Sequence, residues 1–182
     1  MKIELNKKEL RALLAFSTKD RGVLVDAVFV VDGKIVVTDG HTLVTRTAEN
    51  CDGTFALTTD FAKQAYKMSG AKDQIVIRVE EGFAICEAGG KQLRGFLYEE
   101  KCPPIEQVIP ARDDSSDRKG TGFIGLNPSY LARLELVQAS LGTKSKGMRF
   151  QMPSTPLEPI RADATSASGA QWEAVIMPCR LA

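Results

Sequence analysis

Three stretches of the chain share one form: IELNKKELRALLAFS from Ile3, FALTTDFAKQAYKMS from Phe55 and IGLNPSYLARLELVQAS from Ile124. Each reads as a short apolar strand ending in leucine, a helix-capping residue and an amphipathic helix. Helices this short do not persist alone, so each must lean on a sheet. A chain built from one strand-and-helix unit used three times has few architectures open to it.

The caps are legible residue by residue. Asn6 with Glu9 three places on forms a capping box, in which the side-chain oxygen takes a free backbone N–H and the glutamate reaches back. Asn127 precedes Pro128, a proline at the first helical position, where its missing N–H costs nothing. Thr58 or Thr59 serves the second copy, with Asp60 favourable in the first turn. Leu10, Leu13 and Leu14 make one apolar stripe, and Leu131, Leu134, Val137 and Leu141 another, both at helical spacing.

Strand-rich sequence follows each helix. In the first copy VLVDAVFVV and KIVVT flank Asp32-Gly33, a two-residue hairpin signal, and Asp39-Gly40 turns the chain again into TLVTRT. In the second, apolar alternation surrounds Glu81-Gly82, and LRGFLYE follows Gly89-Gly90. In the third, MRFQM and WEAVIMPCRL are strands. Pro153, Pro156 and Pro159 lie between them, so any strand in that interval is expected at an edge or irregular. Each unit therefore reads β-α-β-β-β. The expected organisation is one complete domain over residues 1–110 (units 1–50 and 51–110), a polar linker ARDDSSDRKG over 111–120, and a third unit over 121–182. The fold class is α+β, antiparallel sheets with helices on one face.

Composition sets limits on function. With 24 Lys and Arg against 23 Asp and Glu the net charge is +1, so any DNA contact must come from a local basic face. Four scattered cysteines without C-x-x-C, and a single histidine, leave no zinc ligand set and fit reduced thiols in a cytoplasmic protein. MKIELNKKEL lacks the apolar core of a signal peptide, and no run approaches the roughly 20 apolar residues of a membrane span. No cofactor is expected. The histidine sits in VVTDGHTLVTR, two places after Asp39. No G-x-S-x-G elbow, reactive-cysteine context or second histidine accompanies it. Asp39-Gly40 supplies tight-turn geometry, so His41 is expected on a turn or a rim, not in a catalytic pair.

The residues also carry a family resemblance. Tandem β-α-β-β-β units, with VVTDGHTLV in one, LRGFLYEEKCPPIEQVIP closing a domain, and NPSYLARLELVQA followed far downstream by VIMPCRL, resemble the bacterial sliding clamp, the β subunit of DNA polymerase III. Such a subunit has six units in three domains. Here units one and two resemble its middle domain and unit three the second half of its last, so this looks like a shortened clamp-like member.

The resemblance implies two surfaces. One is a hydrophobic groove for short peptide motifs of polymerases and other replication factors. Carried over by position, its wall is Thr38, Gly40, His41 and Leu43, with Pro110 closing one side and Val175, Met177, Pro178, Cys179, Arg180 and Leu181 the other; Val25 matches less well. Thr42 stands where the family has arginine and Cys179 where it has methionine, and Ala182 extends past the family's terminal leucine. The other surface is a DNA-facing strip on the helices, here Lys7, Lys8 and Arg11 on the first, Lys63 and Lys67 on the second, and Arg133 on the third. Its contacts would be independent of base sequence, each neutralised phosphate steepening the salt dependence by roughly 0.9 in log-log slope.

The expected function is a non-enzymatic, sliding-clamp-like replication protein that binds clamp-motif peptides and encircles double-stranded DNA if a ring forms. The alternatives are a decoy that competes for clamp clients without encircling DNA, and a hydrolase using Asp39 and His41. Partners are peptide-bearing replication proteins and DNA, with no membrane. A half domain leaves an open sheet edge. It can be covered by pairing third units between two chains, by a four-chain ring, or by unit three packing back on units one and two; self-association is the expectation.

Overall fold

In a computed structural model that describes residues 1–17, 26–49, 51, 53–112, 123–145 and 147–179, every helix starts at its expected cap. Helix α1 (Lys7–Leu14) follows strand β1 (Lys2–Asn6), and the capping box is complete: Glu9 N donates to Asn6 Oδ1 at 3.0 Å and Asn6 N to Glu9 Oε2 at 2.8 Å. Helix α2 (Thr59–Met68) follows β5 (Phe55–Thr58) and is capped by Thr58, whose hydroxyl accepts from Phe61 N at 3.1 Å. Helix α3 (Pro128–Ser140) is capped by Asn127, which accepts from Ser129 N.

The first unit continues as β2 (Ala27–Val31), β3 (Lys34–Thr38) and β4 (Thr42–Thr47), the second as β6 (Gln74–Glu80), β7 (Phe83–Ala88) and β8 (Lys91–Phe96). The third holds β9 (Arg149–Gln151), β10 (Ile160–Thr165) and β11 (Gln171–Ile176). Both central residues of the Asp32-Gly33 and Glu81-Gly82 turns have positive φ (46° and 75°, 49° and 80°), the backbone twist that joins antiparallel strands in two residues.

Units one and two trade their first strands. Strand β1 pairs with β6, giving a four-stranded sheet β1-β6-β7-β8, and β5 pairs with β2. The second sheet then runs β5-β2-β3-β4-β11-β10-β9, because β11 pairs with β4 and places Val175 opposite Leu43. Unit three thus joins unit one in a continuous sheet within the chain.

Two expectations are corrected. Residues 124–126 form no strand: a first strand needs the second strand of a sister unit, and unit three has none in this chain. Gly125 is instead held by one backbone bond, Cys179 N to Gly125 O at 2.9 Å. Strand β10 is interior, between β9 and β11, and regular over six residues. The three prolines are confined to the loop 152–159, so none has to supply a ladder donor, and β9 is the edge.

The helices sit on one side of the sheets over a core that includes Leu10, Leu13, Phe16, Ile35, Ile75, Ile77 and Trp172. Each of these is at most 1% exposed, and burial of such a side chain contributes about 1.5–3 kcal/mol. Leu134, Val137 and Leu141 of the third stripe are buried, whereas Leu131 is 38% exposed. Helix α1 lies between α2 and α3 and touches both. Arg46 of β4 reaches α1, giving Nε and Nη2 to Glu9 Oε1 at 3.1 and 2.7 Å. On the opposite face of the seven-stranded sheet Phe29, Val36, Leu43 and Val175 form a second apolar cluster, covered by Tyr98, Cys102, Ile105 and Ile109 of the segment after β8. No helix among the described residues is long and apolar enough to cross a membrane.

Candidate functional site

That second face carries a cavity of about 310 Å³. Its floor is a row across three strands: Thr38 of β3 stands opposite Leu43 of β4, which stands opposite Val175 of β11. Gly40, His41 and Thr42 form one rim and Met177 extends the floor beyond β11. The far wall is Pro103, Pro104, Ile105, Gln107 and Val108, around a 3-10 turn over Ile105–Gln107. No formally charged side chain is among the lining residues. Leucine, valine, isoleucine, proline and a pliable methionine make a seat for apolar side chains.

The rim is built by Asp39. Its Oδ1 accepts from His41 N at 2.9 Å, Thr42 N at 2.7 Å and Thr42 Oγ1 at 3.0 Å, while Oδ2 accepts from Arg133 Nη1 at 2.6 Å. Gly40 takes φ 80°, a left-handed value that glycine adopts without strain. Burial pushes the Asp39 carboxyl up, but the hydrogen bonds from Arg133, His41 and Thr42, with the guanidinium charge, outweigh it and hold the group below the usual carboxylate range. Asp39 is thus bonded to backbone and to Arg133. His41 stacks on Tyr130, centroids 6.0 Å apart at 15°, and its carbonyl accepts from Met177 N at 2.9 Å, which ties the rim to the end of β11.

Six residues expected at the groove therefore meet in one cavity: Thr38, Gly40, His41, Leu43, Val175 and Met177. Pro110 does not. It lines a separate cavity with Gln107, Val108, Met152 and Pro159, and its carbonyl accepts from Arg161. The chain turns at Ile105–Gln107, so Pro103 to Val108 make the wall that Pro110 was expected to make. Apolar Ile105 and Val108 beside the Pro103-Pro104 pair in CPPIEQVIP carried that signal. Pro178 and Cys179 are not among the lining residues either; the Cys179–Gly125 bond directs the chain away. Val25, Arg180, Leu181 and Ala182 lie outside the described residues, as do residues 113–120 of the linker.

The basic strip is also revised. Lys8, Arg11 and Lys67 are exposed and Lys63 half-buried on α1 and α2. Lys7 is engaged, its Nζ bonded to Ser69 O at the end of α2 and 4.8 Å over the Tyr66 ring. Arg133 faces inward to Asp39 and Thr42 with its side chain 17% exposed, so it does not belong to an open strip. A larger cavity, about 450 Å³, lies beside the Glu9–Arg46 pair and is lined by both charge signs, including Lys2, Glu4, Glu49, Lys72 and Asp73. Its mixed charge defines no ligand class. Among the described residues no group of three or more His, Cys, Asp or Glu could hold a metal ion.

No family model and no curated protein matches the chain. Solved structures do. The sliding clamp of Pseudomonas aeruginosa superposes with a TM-score of 0.68 at 16% identity, over 100% of this chain and 66% of that one. The Helicobacter pylori β clamp in complex with diflunisal gives 0.71 at 12% identity, over 99% and 66%. A Bartonella birtlesii clamp bound to griselimycin gives 0.64 at 18%, over 99% and 66%. The whole chain is matched, yet it spans only about two thirds of the length of those proteins. The chain has the fold of the bacterial DNA sliding clamps, the β subunits of DNA polymerase III, over part of their length.

Proposed function

We propose that this protein is a clamp-like replication scaffold whose groove binds short apolar peptide motifs of polymerases or other replication factors, and that it works by binding and not by catalysis. One observation carries the reading: Leu43 and Met177, far apart in sequence, line the same uncharged cavity on the outer face of the sheet. Its volume, about 310 Å³, suits one or two leucine- or phenylalanine-sized side chains. Two clamps of the same fold hold small ligands, diflunisal and griselimycin. The test is titration of a fluorescent clamp-motif peptide. Saturable binding is expected, weakened at least tenfold by Leu43→Ala with Met177→Ala. Absence of saturation, or an unchanged isotherm in that variant, removes the reading.

A second reading, a regulator that captures clamp clients without encircling DNA, gains from the cation inventory. Lys7 and Arg133 are engaged within the fold, which leaves Lys8, Arg11, Lys63 and Lys67 for phosphates. Retention on circular but not linearised DNA supports the scaffold; equal and weak retention on both supports the regulator.

A further inference from the structure

The groove's rim is held from outside the groove. Gly40, His41, Thr42 and Leu43 line it, and the turn that carries them is shaped by Asp39, which is 4% exposed. One atom of α3 completes that turn: Arg133 Nη1 donates to Asp39 Oδ2 and to Thr42 Oγ1, both at 2.6 Å, across 94 and 91 residues of sequence. The same guanidinium lies 5.0 Å from the Tyr130 ring centre and 5.9 Å from that of Phe16, and Tyr130 stacks on His41. No residue of α3 lines the groove.

We infer that Arg133, assisted by Tyr130, is a positioning residue for the groove, so that the helix of unit three sets ligand affinity at a site it never touches. The inference rests on the groove being the ligand site proposed above. Without Arg133 a buried carboxylate loses the guanidinium that offsets its desolvation, and swinging toward water relieves it. That motion breaks the bonds from Oδ1 to His41 N and Thr42 N, which releases Gly40, His41 and Thr42 together. A groove in register only about a tenth of the time binds about tenfold more weakly, because the apparent Kd scales inversely with the competent fraction. Lysine is a poor substitute: it offers a point charge and cannot lie flat against Tyr130 while serving two acceptors.

The experiment compares the wild type, Arg133→Gln, Arg133→Lys, Asp39→Asn and the double variant Asp39→Asn with Arg133→Gln. Ile77→Val, in the other sheet, serves as a core control with lowered stability and an intact rim. Peptide affinity is read where Trp172 fluorescence shows each protein folded. His41 is the only histidine in the chain, so its ring proton is a single NMR reporter of stacking on Tyr130. Expected are a loss of about tenfold for Arg133→Gln, a similar loss for Arg133→Lys, a double variant no weaker than the worse single, a displaced His41 resonance, and wild-type affinity in Ile77→Val. Wild-type affinity and an unmoved resonance in Arg133→Gln overturn the inference, as does a loss in Ile77→Val that tracks stability. If Arg133→Gln does not fold, Asp39→Asn decides by the same two readouts. A wild type that binds no peptide while Arg133→Gln still displaces the resonance removes the groove reading and leaves the latch standing.

Discussion

Replacing Arg46 by methionine tests how α1 is fastened to β4. The side chains of Arg46 and Glu9 are 9% and 6% exposed, and two of the guanidinium's N–H groups go to Glu9 Oε1 while a third goes to Thr47 O at 3.0 Å. Methionine keeps most of the apolar stem but leaves a buried carboxylate with Asn6 N on its other oxygen. Breaking such a pair from one side costs about 3–5 kcal/mol. The polar cavity beside the pair admits water, which places the cost at the lower end, about 3 kcal/mol. For a chain of this size about 2–4 °C of Tm follows each kcal/mol, so a fall of about 6–12 °C is expected. Adding Glu9→Gln removes the stranded charge, while the amide oxygen still accepts from Asn6 N, and should restore about half the loss. Urea unfolding followed by Trp172, which stands opposite Arg46 in the β11–β4 register, reads the effect at the joint itself. A single-variant cost under about 1 kcal/mol, or a double variant no more stable than the single, refutes the reasoning.

Three further outcomes are expected. Gly40→Ala places no atom within 4 Å of its new Cβ, so its cost is left-handed backbone strain alone, about 1–2 kcal/mol, seen as a lower Tm together with weaker peptide binding. Asp39 is held below its unfolded value, so the stability it adds is present above about pH 4 and is lost as pH falls through the lower folded value; acid unfolding of Asp39→Asn should be flatter in that range. Burial, then the charge of Glu87, pushes the Cys86 thiol to about 11, so disulfide reagents at pH 8 should label exposed Cys179 and leave Cys86 untouched, read by peptide mass mapping; equal rates at the two would contradict it.

The helix starts and the tight turns were readable because each depends on neighbours in sequence. Asn6 and Glu9 are one turn apart, and Asp32-Gly33 and Glu81-Gly82 carry their own positive φ. Half the groove was readable for a different reason: the TDGHTL and VIMPCRL stretches resembled a known pattern and supplied Thr38, Gly40, His41, Leu43, Val175 and Met177, although Pro178 and Cys179 do not line the cavity. The groove's other half was not. Ile105 and Val108 look like ordinary loop residues until the segment after β8 is laid across the sheet. Arg133 reads as a surface cation on a helix, and only the packing of α3 over the β3–β4 turn makes it an interior partner of Asp39.

Sequence by itself determined the units: their number, their caps, their hairpins and the class of fold they build, because short-range hydrogen bonding and apolar periodicity are written locally. Tertiary structure alone decided how the units join. The exchange of β1 and β5, the pairing of β11 with β4, and the reach of Arg133 to Asp39 bring together groups separated by up to about 130 residues. Strand edges and buried charges are satisfied by whichever partner the assembled fold presents, and no local pattern specifies that partner.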